Sequence, residues 1–466
     1  MVMTTDPCRL SIADAGEALR AGTLTSVALT ESCLSQVRLW EPVVKAFITL
    51  TEDRALSDAR RADEQLSVGI DLGPLHGIPV GIKDIFDTRG VRTTCGSRLL
   101  LDNVPDTDST VGSRLALAGG VFLGKTNTYE FAIGDRADDL PFPPSMNPWK
   151  LDRITPGSSS GSAVGIATSM MRLATATDTG GSIRLPAACC GIVGLKPTFG
   201  RVSRQGVFPF SHSCDHAGLL TATVEDMAVG MQVIAGYDPQ DPASADKPVP
   251  DYRHALDLGV VDLKIGVDMR FVEHGAVSDT MQEEFARVLQ LLQNSGAQIV
   301  DISLPRYDAF AACGSAVIGV EGLSVHHRTL QTQPEMLSRA LRHGFIPAIA
   351  VSALDYVQAQ KLRRDLAMDI NAALTDVDVM LCLVTTGGAL RYDPVPDSTM
   401  FGRTIPFNIT GHPAMSVPTN ADHDGLPLGV QVVGKPFDEA MVLRVGKVIE
   451  ARAGWLGRAP AFPPCP

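Results

Sequence analysis

Apolar positions recur at helical spacing through the N-terminal part of the chain. "SIADAGEALRAG" carries Ser and Asp near its start and Gly at its end, and "SVALTESCLSQVRLW" keeps apolar residues on one helical face. Residues 9–70 therefore read as helical. The pattern then changes. "HGIPVGIKDIF" sets β-branched residues between Gly and Pro, a strand signal. "TVGSRLALAGG" reads as a helix closed by two glycines, and "VFLGKT" as the strand after it. Residues 162–171, "SAVGIATSMM", read as a buried helix of small residues, and residues 173–177, "LATAT", as a strand. "LKIGVD" and "QIVDISLP" read as strands on either side of the amphipathic helix "VSDTMQEEFARVLQLLQNSG". Residues 308–375 are mostly helical and read as an excursion from a sheet. "VDVMLCLVT", "AMSVPT" and "LGVQVVG" return as apolar strands before the closing helix "DEAMVLRVGKVIEARAG".

Helix, glycine and strand thus alternate, as in an α/β architecture. The 466 residues suffice for one large domain or several ordinary ones. No repeat or low-complexity linker divides them, and the Pro-containing stretch 238–252 reads as a loop. A formal charge of −12 argues against general binding to nucleic acid or anionic membranes. No run approaches the roughly 18 apolar residues of a membrane span. The N-terminus lacks a basic region followed by an apolar one, so a soluble cytoplasmic protein is expected. The nine cysteines include no C-x-x-C pair and read as reduced thiols. The histidines form no H-E-x-x-H. His326 and His327 read as a surface helix, so no metal site is expected.

Two short motifs invite assignments that their surroundings refuse. Residues 119–126, "GGVFLGKT", fit the phosphate-binding pattern G-x-x-x-x-G-K-[ST]. That chemistry needs a strand, then a loop, then a helix N-terminus. Here the glycines end a helix, and "VFL" is the strand. Residues 157–161, "GSSSG", fit G-x-S-x-G with Ser159 at the centre. A nucleophile elbow needs an apolar strand running into the first Gly. "NPWKLDRITP" is a loop, so Ser159 reads as part of a helix cap rather than a nucleophile.

A third segment has the right context. "DTGGSIRLP", residues 178–186, follows the strand "LATAT". Thr179, Gly180, Gly181 and Ser182 would present successive backbone N–H groups around one bend, a nest suited to an oxyanion with a serine on its rim. A serine needs a base. Lys83 ends an apolar strand, although spacing alone favours a salt bridge to Asp84 or Asp87.

Taken together, "HGIPVGIKD" (76–84), "PGSSSGSA" (156–163) and "TDTGGSIRLPAACCGIVGLKPTFGRVS" (177–203) resemble the amidase signature family, with weaker similarity along most of the chain. The resemblance implies a single α/β domain over residues 1–466, with a mixed sheet of about eleven strands covered by helices on both faces. The catalytic core would span about residues 70–235, and the excursion 308–375 would contribute to the substrate pocket. The implied chemistry is hydrolysis of a carbon–nitrogen bond through an acyl-enzyme, without metal or cofactor. Ser182 matches the family nucleophile, Ser158 the bridging serine held on a cis peptide, and Lys83 the terminal base. Thr179, Gly180, Gly181 and Ser182 match the oxyanion hole, with Asp178, Arg184 and Ser159 in support. Pro156 and Ser160 stand where the family usually has glycines, which leaves the triad intact.

The expected substrate is a small acyl or aryl amide, or an ester or carbamate, hydrolysed by a monomer or homodimer. Tyr129, Phe131 and Ile133 are the candidate pocket residues and lean towards an apolar acyl group. The alternatives are a glutamine-hydrolysing amidotransferase subunit supplying ammonia to a partner protein, and a urea- or biuret-type hydrolase. Proteins of the first kind resemble "GGSIRQPA" and "SLDQIGP". This chain has Leu185 and "SCDHAGLL" there, which favours a stand-alone enzyme. A non-catalytic binding protein on the same fold is a further reading, and the intact triad argues against it.

Overall fold

The structure, a computed structural model, describes residues 6–392 and 402–462. Eleven strands form one mixed sheet: β1 (Phe47–Leu50), β2 (Pro79–Lys83), β3 (Val121–Thr126), β4 (Leu173–Asp178), β5 (Val193–Lys196), β6 (His216–Thr221), β7 (Lys264–Val267), β8 (Gln298–Asp301), β9 (Val379–Leu383), β10 (Ala414–Ala421) and β11 (Pro427–Gly434). Their order is β1-β3-β2-β4-β6-β5-β10-β11-β9-β7-β8. β2 runs parallel to β3 and β4, whereas β6 is antiparallel to both β4 and β5.

Alternate residues of the central strands enter different apolar clusters. Leu173 and Leu219 join one, and Ala174, Ala176 and Leu220 the other. A strand presents successive side chains to opposite faces, so this division means the sheet is buried on both sides. Helices Val224–Ile234, Asp279–Asn294 and Glu439–Ala453 pack with the first cluster. Helices Ser26–Val44 and Ser160–Ala167 pack with the second.

Three strands depart from the sequence reading. β1 interrupts the region read as helical. Lys45, in left-handed backbone at φ 55°, closes the preceding helix, and "FITL" then pairs with β3. β5 and β6 give no alternating signal because every residue in both is buried. The helix read over 162–171 spans Ser160–Ala167. The excursion is helical as read, with Tyr307–Thr332 and Ala353–Ala373 as its long helices. His326 corrects the surface assignment. It is 2% exposed and packs against Phe131, Phe208 and Phe345, while His327 faces solvent. Neighbours on a helix point about 100° apart, so one can be core and the next surface.

Candidate active site

Lys83 ends β2, and Thr177 and Asp178 end the parallel neighbour β4, so they meet at the same ends of two interior strands. The Lys83 N–H donates to Thr175 Oγ1 at 2.8 Å. Its Nζ lies 2.7 Å from Ser158 Oγ, 2.8 Å from Thr177 Oγ1 and 3.0 Å from Ser159 Oγ. The salt bridge suggested by spacing belongs to another lysine, since Lys125 Nζ pairs with Asp84 at 3.5 Å. Burial pulls the Lys83 ammonium down to about 7, against the opposing pull of Asp178, Asp215 and Cys95. A neutral amine has two N–H donors and one lone pair. Ser159 Oγ donates to Thr177 O at 3.3 Å, which leaves it to accept from Lys83. In a neutral Lys83 whose second N–H goes to Thr177 Oγ1, the lone pair would face the Ser158 hydroxyl.

The Ser158 loop is fixed from several sides. The Gly157–Ser158 peptide is cis. The Tyr129 ring lies flush on Gly157, where a Cβ would come within 2.4 Å of it. The Tyr129 N–H donates to Ser158 O at 3.2 Å, and its hydroxyl to Thr155 O at 2.9 Å. The Ser159 N–H reaches Ser182 O at 3.4 Å, bringing the two serine segments together.

Residues 179–182 form the expected turn. Gly180 O accepts from Thr404 Oγ1 at 2.5 Å, and Gly181 O from the Leu185 N–H at 2.8 Å. In a trans peptide the next N–H points opposite the carbonyl, so the Gly181 and Ser182 N–H groups face away from those partners. Gly181 sits at φ +137°, and a Cβ there would come within 2.2 Å of Thr404 Oγ1, so no other residue fits. Asp178 and Arg184 clasp the ends of the turn through two hydrogen bonds of 3.0 and 2.9 Å. Arg184 also donates to Thr404 O, Gln431 Oε1 and Asn408 Oδ1. Burial would raise the Asp178 carboxyl. The Arg184 charge and hydrogen bonds, helped by Lys196 and Asn408, outweigh it and hold the group well below its usual range.

A cavity of ≈ 190 Å³ opens beside Thr177 and Thr179, walled by Ala132, Val207, Phe208 and Phe210, with Arg204, Asp215 and Asp241 among its polar lining. Two pocket expectations are corrected here. Phe131 and Ile133 are 0% and 5% exposed and belong to the core, where Phe131 backs Phe208 at 4.6 Å between ring centres. Ala132, between them, reaches the cavity. Tyr129 supports the Ser158 loop. Sequence reasoning missed Thr175, Thr177, Asn408 and Gln431. Two threonines at alternate positions of an otherwise apolar buried strand were a usable signal for the first pair. Nothing local marks the second pair, which arrive from distant segments.

A family model named Amidase matches residues 28–443. The chain belongs to the amidase family. It is therefore an enzyme of amide carbon–nitrogen bonds. A glutamyl-tRNA(Gln) amidotransferase subunit from Geotalea daltonii is 38% identical, over 97% of this chain and 99% of that protein. A solved structure described as a vestigial complex revealing the origins of an s-triazine catabolic enzyme superposes with a TM-score of 0.90 at 30% identity, over 95% of this amidase and 98% of that chain. Peptide amidase from Stenotrophomonas maltophilia does so with a TM-score of 0.87 at 30% identity, over 98% and 99%. The name of the Geotalea relative matches the amidotransferase alternative better than the stand-alone reading.

Proposed function

We propose that this amidase is a cytoplasmic, metal-independent serine amidohydrolase whose relay runs Lys83–Ser158–Ser182. The observation that carries it is the neutral-prone Lys83 held by three hydroxyls, with its lone pair left to Ser158. Lys83 takes the Ser158 proton as Ser158 takes that of Ser182. The freed Ser182 Oγ attacks the amide carbon, and charge gathers on the carbonyl oxygen against the N–H groups of residues 179–182. Loss of one such donor typically costs about 3–4 kcal/mol. Ser158 then returns a proton to the departing nitrogen, and water releases the acyl group.

For the substrate we favour the carboxamide of glutamine, with the chain acting as the ammonia-releasing component of an amidotransferase. Identity of 38% across nearly the whole length of the Geotalea amidotransferase protein supports this. Leu185 and His216 favour a second reading, a stand-alone amidase on a small acyl or aryl amide. Turnover of glutamine against aryl amides, with and without a partner protein, separates the two. A fluorophosphonate tests the nucleophile. One label is expected on the tryptic peptide "LATATDTGGSIR", and a label on the peptide carrying Ser158–Ser160 would refute the assignment.

A further inference from the structure

The loop of residues 208–215 is held by two carboxylates on different parts of the chain, one half-buried and one buried. The first, Asp215, accepts with Oδ2 from the Phe210 and Ser211 N–H groups at 2.8 and 2.9 Å. Its Oδ1 accepts from Thr179 Oγ1 at 2.6 Å, which ties the loop to the head of the 179–182 turn. The second, Glu321, lies on the helix Tyr307–Thr332 and is 5% exposed. Its Oε2 accepts from Ser211 Oγ at 2.5 Å and the Ser213 N–H at 2.9 Å. Its Oε1 accepts from Ser213 Oγ at 2.7 Å, Tyr356 Oη at 2.8 Å and Gln360 Nε2 at 3.0 Å. Burial would raise this carboxyl, and the hydrogen bonds from Ser211, Ser213 and Tyr356 bring it below the usual value instead.

Ser211 is shared: its N–H serves Asp215 and its hydroxyl serves Glu321. The same helix shapes the rest of the loop. A Cβ at Gly322 would come within 2.3 Å of the Phe210 ring, and the His326 ring stacks on Phe208. Phe208 and Phe210 wall the cavity beside Thr179.

We propose that Glu321 is a positioning residue for the oxyanion turn, acting through Ser211 and Ser213 on Asp215 and through Asp215 on Thr179. The inference rests on the reading of residues 179–182 as the oxyanion site. Three of its five donors lie on the one loop that also carries Asp215. Oxyanion donors work only at hydrogen-bond distance from a charge that forms in the transition state, and a displacement of about 1 Å costs on the order of a hundredfold in rate. A helix outside the catalytic core thereby sets the geometry of the turn.

The test is a double-mutant cycle. Glu321→Gln keeps the shape but removes the charge and replaces one accepting oxygen by an N–H₂ group, so the five donors no longer all find an acceptor. It should lower kcat, and the rate of fluorophosphonate labelling at Ser182, about tenfold or more, with a smaller change in KM. Ser213→Ala, which leaves the carboxylate in place, should show a weaker loss of the same kind. Thr179→Val cuts the link, so adding Glu321→Gln to it should cost little more. Circular dichroism confirms that each variant is folded at the assay temperature. Wild-type labelling rates in Glu321→Gln, losses that multiply in the double variant, or a change in KM alone would overturn the proposal. A wild-type chain that hydrolyses amides but is labelled elsewhere than Ser182 would overturn the nucleophile, and this inference with it.

Discussion

At the scale of the residue, burial gives Lys83 the neutral form that the proposed relay requires of its base. Only its neutral form can accept the Ser158 proton. With the ammonium pulled down to about 7, the neutral fraction falls tenfold per unit on the acid side and saturates on the alkaline side. For a non-ionising amide, kcat/KM should therefore climb with unit slope to a bend near 7 and then stay level. The buried histidines sit lower, with burial pushing His326 to about 4 and His412 to about 3, so neither produces that bend. Lys83→Ala should abolish amide turnover by several orders of magnitude and spare an ester of the same acyl group more, because esters need less proton delivery. A bend near 7 that survives in Lys83→Ala would assign the base elsewhere.

At the scale of the element, the turn after β4 is fixed by charge buried among distant segments. Arg184 is fully buried and touches Asp178, the backbone of Thr404, Asn408 and β11. Arg184→Met would leave the Asp178 carboxylate buried without its partner, a loss of about 3–5 kcal/mol. The urea midpoint should fall accordingly, and labelling of Ser182 should slow. Adding Asp178→Asn should restore part of the stability but not the activity, since the clasp on the turn is still missing. Full recovery of activity in the double variant would show that the pair is dispensable for the turn. The same elements show what the sequence could reveal. The β4–turn–helix order was readable because apolar run, Gly-Gly-Ser and Pro lie in succession. Buried strands such as β5 and β6 hide because both of their faces are buried, so no exposed polar residue alternates with the apolar ones. Phe131 and Ile133 looked like pocket residues by type, but the turn through Ala132, at φ +62°, aims them into the core. Glu321 gave no signal, since its partners lie over a hundred positions upstream and on the next long helix.

At the scale of the molecule, the site is closed from behind by the C-terminus. The helix Arg184–Cys190 ends at Gly191, in left-handed backbone at φ +69°. Gly191 O accepts from Trp455 Nε1 at 2.7 Å, and Cys190 O from Trp149 Nε1 at 2.9 Å. The two indoles lie against each other, 5.0 Å between ring centres. In the sheet order, β10 and β11 stand between β5 and β9, so residues 70–235 alone would leave β5 with an unpaired edge. Residues 70–235 therefore share one sheet with the strands that follow them. Trp455→Ala removes a side chain only 3% exposed and strands the Gly191 carbonyl, for a loss of about 3–5 kcal/mol. In urea, the emission of the remaining tryptophans, Trp40 and Trp149, and the hydrolytic rate should change together, at a lower midpoint than in the wild type, because Trp149 and the Ser182 turn sit at the two ends of one short helix. An unchanged midpoint, or activity that outlasts the fluorescence change, would mean that the turn keeps its shape without the C-terminal contact.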